Sequence, residues 1–127
     1  LANAEVFFTL LPFSPETENI IDHTAINKMS REAVLIQAGS GATIDEEALV
    51  AALQRGHLGG VALDTFEYEP LVSTHPLLQL VKTPSANIIL TPHIAAATLP
   101  MELAGRSRDY DEVMRFIRGL ELHHEVR

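Results

Sequence analysis

The sequence contains no cysteine, which excludes disulfides and thiolate chemistry and leaves the compartment open by that route. Positive charge is scarce: 9 Lys and Arg stand against 17 Asp and Glu, for a formal net charge of −8. A nucleic-acid backbone needs clustered Lys and Arg to neutralise its phosphates, so nucleic acid is excluded as a partner, and an anionic membrane surface would repel the chain. Long apolar runs are absent too. The richest, Val6 to Phe13, already contains Pro12 and falls well short of the roughly 20 residues that span a bilayer. No basic segment leads into an apolar core near Leu1, so no secretory signal is expected and a reducing cytoplasm is the default location. No internal repeat, low-complexity tract or evident linker interrupts the chain.

The chain does have the means to build a core. Its 127 residues are 46% hydrophobic and only 20% charged, which argues against general disorder. A chain of this size buries roughly two-thirds of the surface that its unfolded form exposes. Short apolar runs alternate with helical stretches, the rhythm of a parallel sheet covered by helices. The first run, Val6 to Leu11, ends at Pro12. Ser14-Pro15-Glu16-Thr17 places a hydroxyl before a first-turn proline and predicts a short helix or turn, and a second short helix is expected after Thr24, around Ala25 to Met29. Ala33 to Ile36 does not alternate, which predicts a strand buried on both faces. A helix is expected from about Asp45 to Arg55, with Thr43 and Glu46 at capping-box spacing, Gly56 at the C-terminal cap, and Ala48, Leu49, Ala52 and Leu53 as its apolar stripe. Gly59 to Leu63 and Asn87 to Leu90 read as further strands, separated by a long loop from about Thr65 to Ser85. A last helix starts near Thr98 with Pro100 in its first turn, carries Leu103, Tyr110, Val113, Met114 and Ile117 on one face, and ends at Gly119.

In open parallel sheets, ligands bind beyond the carboxyl ends of the strands. Gly39-Ser40-Gly41 follows the second strand, Asp64 the third, and Thr91-Pro92-His93 the fourth. That order can bring Asp64, Glu69 and His93 to one crevice. A carboxylate beside an imidazole favours its protonated form and fixes its orientation, which suits proton transfer near neutral pH. Spacing alone leaves two readings of His93 open, an acid–base group and a residue that merely caps a turn. Gly39-Ser40-Gly41-Ala42-Thr43-Ile44, with Asp64 twenty residues further on, approaches the G-x-G-x-x-G fingerprint and its distant ribose-binding acid. Ile44 fills the position that needs a small residue, and Asp45, Glu46 and Glu47 crowd the helix start, where they suit the macrodipole and repel phosphate. The fingerprint proper is therefore absent. His23 and His57 lie in polar turn or helix-end contexts and are expected to be solvated. His123 and His124 are adjacent in an expected exposed tail, not spaced as a metal pair, so no metal site is expected. Phe66 and Tyr68 are expected to pack as walls beside the crevice.

The motifs become specific when taken together. Leu11-Pro12 before Ser14-Pro15-Glu16-Thr17, Ala33-Val34-Leu35-Ile36, Ile44-Asp45-Glu46-Glu47-Ala48-Leu49, Ala62-Leu63-Asp64-Thr65-Phe66-Glu67-Tyr68-Glu69-Pro70 and Leu90-Thr91-Pro92-His93-Ile94-Ala95-Ala96-Ala97-Thr98 occur in one order. From Ala4 to about Val126 the chain resembles the C-terminal part of the D-isomer-specific 2-hydroxyacid dehydrogenases, which include phosphoglycerate, glyoxylate/hydroxypyruvate and D-lactate dehydrogenases.

The resemblance implies an α/β fold, the C-terminal part of a Rossmann-type NAD-binding domain over residues 1–97, with the first βαβ unit absent. Residues 98–127 would be the helix and tail that return toward the substrate domain. It implies NAD or NADP as cofactor and a small 2-oxo or 2-hydroxy acid as substrate. His93 would be the general acid/base, Glu69 would pair with it, and Asp64 would contact the nicotinamide side of the cofactor. The backbone around Pro12, Ala38 and Ala95 would line the cofactor pocket.

Two departures matter: the expected lack of the first βαβ unit and of the substrate domain, both of which the family normally needs, and a change at one residue. The family's Asn-x-x-Arg-Gly segment reads Gln37-Ala38-Gly39-Ser40-Gly41 here, so Ser40 stands where an arginine binds the substrate carboxylate. Serine cannot supply that bidentate contact, whose loss costs a few kcal/mol, on the order of 10²-fold or more in rate. Arg55 and Arg106 are the alternatives, and neither follows a strand end. The implied reading is an oxidoreductase, inactive as an isolated chain of this extent. The alternative is a non-catalytic relative, a binding or interaction module. An unpaired strand edge would also allow association with a second copy or with the missing half.

Overall fold

The computed structural model describes residues 1–123; His124, in the expected tail, lies outside the described residues. The chain divides into two units, Leu1–His93 and Ile94–Arg127. The first is built on a four-stranded sheet of β1 (Val6–Thr9), β2 (Val34–Gln37), β3 (Gly60–Leu63) and β4 (Ile88–Leu90), in the order β1-β2-β3-β4. Every pairing is parallel. Parallel neighbours need crossover connections, and these hold α1 (His23–Asn27), α2 (Glu46–Gln54) and α3 (Pro76–Leu80).

The register places Phe7, Leu35, Val61 and Ile88 in one row and Thr9, Gln37, Leu63 and Leu90 in the next row on the same face. Leu35, Val61 and Leu63 there join Ile26, Leu49 and Leu77 from the helices in the core, and Leu35, Leu49, Ile26 and Leu77 are wholly buried. On the opposite face Phe8 and Ile89 are exposed and Ile36 is half-buried. The expectation that the second strand is buried on both faces is therefore corrected: Leu35 is wholly covered while Val34 and Ile36 are only partly so. Val6, Phe8, Leu10 and Phe13 continue an exposed apolar surface along β1, which occupies one edge of the sheet.

Helix starts differ from the sequence pattern in two places. α1 starts two residues before the expected Ala25, with Asp22 as its cap, whose Oδ1 accepts the Ala25 N–H at 2.8 Å. Asp45, not Thr43, caps α2, accepting the Ala48 N–H at 2.9 Å. Ile44 pairs with Ile21 in an isolated parallel bridge, so the chain is extended there and the helix starts later. Thr43 instead belongs to a short 3₁₀ turn and donates to the Ser40 carbonyl at 2.6 Å. Gly56 takes the expected left-handed conformation after α2, at φ +64°. The long loop expected from Thr65 to Ser85 contains α3, capped by His75 with Pro76 in its first turn.

In the second unit, α4 (Leu99–Ile117) follows Thr98, and Gly119 stands beyond its end at φ +65°. The apolar stripe of Leu103, Tyr110, Val113, Met114 and Ile117 is exposed along it. Among the described residues, no helix is long and apolar enough to cross a membrane.

Candidate active site

The carboxyl ends of β1, β2 and β3 and the turn after β4 surround a crevice of about 510 Å³, lined by Leu10, Leu11, Pro12, Ala38 to Gly41, Thr65 to Glu67, Glu69 and His93. A second cavity of about 500 Å³, more apolar, adjoins it and shares Phe66, Glu69 and His93. The expected site residues Pro12, Ala38, Ser40, Glu69 and His93 thus meet in one place. Ala95 falls in the C-terminal unit.

His93 Nδ1 lies 2.8 Å from Glu69 Oε2. The other Glu69 oxygen accepts the Phe66 N–H at 2.9 Å, so the carboxylate is held on both sides. The hydrogen bond from His93, reinforced by that N–H, lowers the Glu69 pKa, and the hydrogen bond to Glu69 followed by its charge raises that of His93. The imidazole is 59% exposed, so a ligand in the crevice can reach it. His93 itself has φ +53°, a left-handed conformation that costs an ordinary residue about 1–2 kcal/mol. Its N–H donates to the Asp64 carbonyl at 2.8 Å, which ties the turn to the end of β3.

Asp64 is buried, and its Oδ1 accepts the Thr91 hydroxyl at 2.5 Å. It is not among the residues lining the crevice. Of the two carboxylates expected near His93, Glu69 meets the ring, while Asp64 meets the backbone and Thr91 of the turn that presents it.

Ser40 stands half-buried at the crevice, with its carbonyl fixed by the Gln37 amide at 2.7 Å and the Thr43 hydroxyl at 2.6 Å. The Thr65 hydroxyl reaches both Gln37 Oε1 at 2.9 Å and the Gly39 carbonyl at 2.5 Å. Gln37, Thr43 and Thr65 are buried, so these bonds bear directly on the loop's shape. Sequence reasoning passed over Thr65 and the amide of Gln37; polar residues at the ends of apolar strands were the available signal. Gly39 and Gly41 serve close backbone approach: a Cβ on Gly41 would stand 2.0 Å from the Phe66 carbonyl carbon. Among the described residues lining the crevice there is no Lys or Arg. Arg55 bonds Asn27 at the C-terminal end of α2, and Arg106 pairs with Glu102 on α4.

Other expectations change. His57 is not simply solvated: it is half-buried and its Nε2 lies 3.1 Å from the Ile26 carbonyl. Exposed His23 lies against Asn27. Tyr68 is 78% exposed and forms no wall, whereas Phe66 is buried. His75, which sequence reasoning did not single out, pairs with Glu46 at 3.1 Å. His123 lies 3.5 Å from Glu112. Among the described residues, no group of three His, Asp or Glu could hold a metal ion.

The crevice also suits the nicotinamide end of a dinucleotide. It lies beyond parallel strand ends, and apolar Leu10, Leu11 and Pro12 offer a surface for a flat ring. Residues 1–95 match the family described as D-isomer specific 2-hydroxyacid dehydrogenase, NAD binding domain. Glyoxylate/hydroxypyruvate reductase B of Klebsiella pneumoniae subsp. pneumoniae is 41% identical over 98 residues, 77% of this chain and 29% of the relative. Glyoxylate reductase of Thermofilum pendens is 39% identical over 112 residues, 84% of this chain and 32% of the relative. A D-isomer specific 2-hydroxyacid dehydrogenase from Xanthobacter autotrophicus Py2, solved with NADPH and MES, superimposes with a TM-score of 0.86 at 31% identity, covering 100% of this chain and 50% of that one. A Sinorhizobium meliloti NADPH-dependent glyoxylate/hydroxypyruvate reductase, solved with NADP and malonate, gives 0.83 at 30% identity, covering 96% and 36%. The chain therefore spans about a third of the curated relatives that it matches. With residues 1–95 matching this family and the parallel sheet superimposing on solved members of it, the chain belongs to the NAD-binding domain family of the D-isomer specific 2-hydroxyacid dehydrogenases.

Proposed function

We propose that the protein carrying this chain interconverts a small 2-oxo acid and its 2-hydroxy acid with NAD or NADP, and that His93 moves the proton. The observation that carries this reading is the His93 Nδ1 to Glu69 Oε2 hydrogen bond, 2.8 Å long, at the mouth of the crevice. With Nδ1 engaged by Glu69, Nε2 is the nitrogen left to exchange a proton with substrate oxygen. In reduction, protonated His93 delivers its proton to the carbonyl oxygen; in oxidation, neutral His93 removes it from the hydroxyl. Glu69 stabilises the imidazolium and fixes the ring plane. When bound, the nicotinamide cofactor supplies or accepts the hydride. Pro12 and Ala38 would hold its nicotinamide end by shape; Ala95 and Asp64 are proposed as cofactor contacts on the family resemblance alone, Asp64 not being among the residues that line the crevice. Asp64 also serves through Thr91 and the His93 N–H, which keep the histidine turn in place. Residues 98–127 are proposed as the segment returning to a substrate domain.

The names of the relatives point to glyoxylate and hydroxypyruvate as the first substrates to test. In the whole protein, His93→Ala should reduce NAD(P)H oxidation with either acid to background; turnover unchanged by this substitution would sink the reading.

A second reading rests on Ser40 and on the lack of a cation among the described residues lining the crevice. It makes the chain a non-catalytic relative that keeps the fold and the histidine pair but does not clamp a substrate carboxylate. Ser40→Arg separates the two readings.

A further inference from the structure

Glu69 lies on a segment that leaves the core after Phe66 and re-enters it at α3. Between Glu67 and His75 the residues are exposed apart from half-buried Leu71 and His75. A segment with so few buried contacts needs another means of staying in one conformation. Both of its ends meet one side chain. Glu46 Oε1 accepts the Glu67 N–H at 2.9 Å, and Glu46 Oε2 lies 3.1 Å from His75 Nε2. His75 Nδ1 in turn accepts the Leu77 N–H at 3.3 Å, which fixes the tautomer: Nε2 carries the proton and donates it to Glu46. Leu77 is wholly buried, so the far end of the segment is anchored in the core. Glu46 is itself well placed, in the first turn of α2, where the helix dipole favours a carboxylate, and its side chain is only 12% exposed.

We propose that Glu46 is a positioning residue for Glu69: its carboxylate closes the Glu67–His75 segment at both ends and so holds Glu69 against His93. His75 serves the same brace from the α3 side. The consequence for catalysis rests on the acid–base reading above, whereas the brace itself is independent of it. Glu46 does not bond His93 and is not itself among the residues lining the crevice; it acts through the segment it closes, whose Glu67 N–H it accepts.

The test is an NMR titration of the His93 ring in the whole protein that carries this chain, which needs no substrate and no turnover. In Glu46→Ala the segment gains freedom, Glu69 leaves the ring for part of the time, and the proton affinity of His93 should fall about threefold or more. Glu46→Gln keeps an amide oxygen for the Glu67 N–H and should restore part of the loss. A merely structural role would lower the melting temperature of Glu46→Ala and leave the His93 titration where it was; that result overturns the proposal. Should Glu46→Ala fail to fold, His75→Ala decides: it opens one end of the brace, and an unchanged His93 titration in that folded variant is equally fatal. If His93→Ala leaves turnover intact while Glu46→Ala still shifts the titration, the acid–base reading fails and the brace stands.

Discussion

Gly41→Ala is the most informative single perturbation, because it separates two explanations of the Gly39-Ser40-Gly41 segment. An added Cβ would stand 2.0 Å from the Phe66 carbonyl carbon, 2.1 Å from its oxygen and 2.5 Å from its Cα. Carbon atoms in contact prefer about 3.5 Å, so one of the two backbones must retreat by about 1.5 Å. Overpacking typically costs 1–3 kcal/mol, and with backbone on both sides the upper end applies, about 3 kcal/mol. For a domain near this size that corresponds to a fall in Tm of about 10–20 °C. The retreat also moves the Phe66 N–H, which holds Glu69 at 2.9 Å. A misplacement of about 1 Å near the chemistry costs on the order of 10²-fold in rate. Thermal denaturation followed by circular dichroism measures the first effect, and turnover of the whole protein the second. If Gly41 instead served to bring backbone up to a phosphate, the variant would lose dinucleotide affinity and keep its Tm. A Tm within about 2 °C of the parent's would refute the close approach as the reason for this glycine.

The remaining predictions concern charge at the site. Glu69→Gln removes the group that raises the pKa of His93. The stabilisation that the pair contributes is fully present below the unfolded-state pKa of histidine and is lost as pH rises through the raised folded-state value. The rate of reduction, which needs protonated His93, should therefore begin to fall at lower pH in Glu69→Gln than in the parent; coincident pH–rate profiles would rule out control of His93 by Glu69. Ser40→Arg in the whole protein places a cation at the crevice and, on the non-catalytic reading, should raise 2-oxo acid reduction on the order of 10²-fold. A parent serine form that already turns over rapidly discards that reading.

Strand positions were legible because each is a short local run of apolar residues, and their parallel arrangement followed from the helical stretches between them. Cap positions were less so. Thr43 and Glu46 have the spacing of a capping box, yet a bridge between Ile21 and Ile44, residues far apart in the chain, keeps Ile44 extended and leaves the cap to Asp45. The short α3 was hidden because five residues carry little periodic signal; His75-Pro76, a capping side chain before a first-turn proline, marked it. Gln37, Thr43 and Thr65 looked like ordinary polar residues at strand ends, and only burial gives their hydrogen bonds weight.

By itself the sequence determined the parallel α/β architecture and the end of the sheet at which a site can form. These depend on the order and type of residues within short stretches, which local sterics and hydrophobic burial translate directly into strands and turns. Spacing left two readings of His93 open, and only the resemblance to the family made it the acid–base candidate. The resemblance named Glu69 as the partner of that histidine, which spacing could not do, and the tertiary structure brings its carboxylate 2.8 Å from the ring. Asp64 and Glu69 lie close together after the same strand, but Asp64 turns to Thr91 while Glu69, 24 positions from His93, reaches its ring. The tertiary structure also decided that Glu46 and His75 brace the Glu69 segment from distant points in the chain. Pairings of this kind depend on side-chain direction and on how connecting segments fold back, and neither is encoded in spacing along the chain.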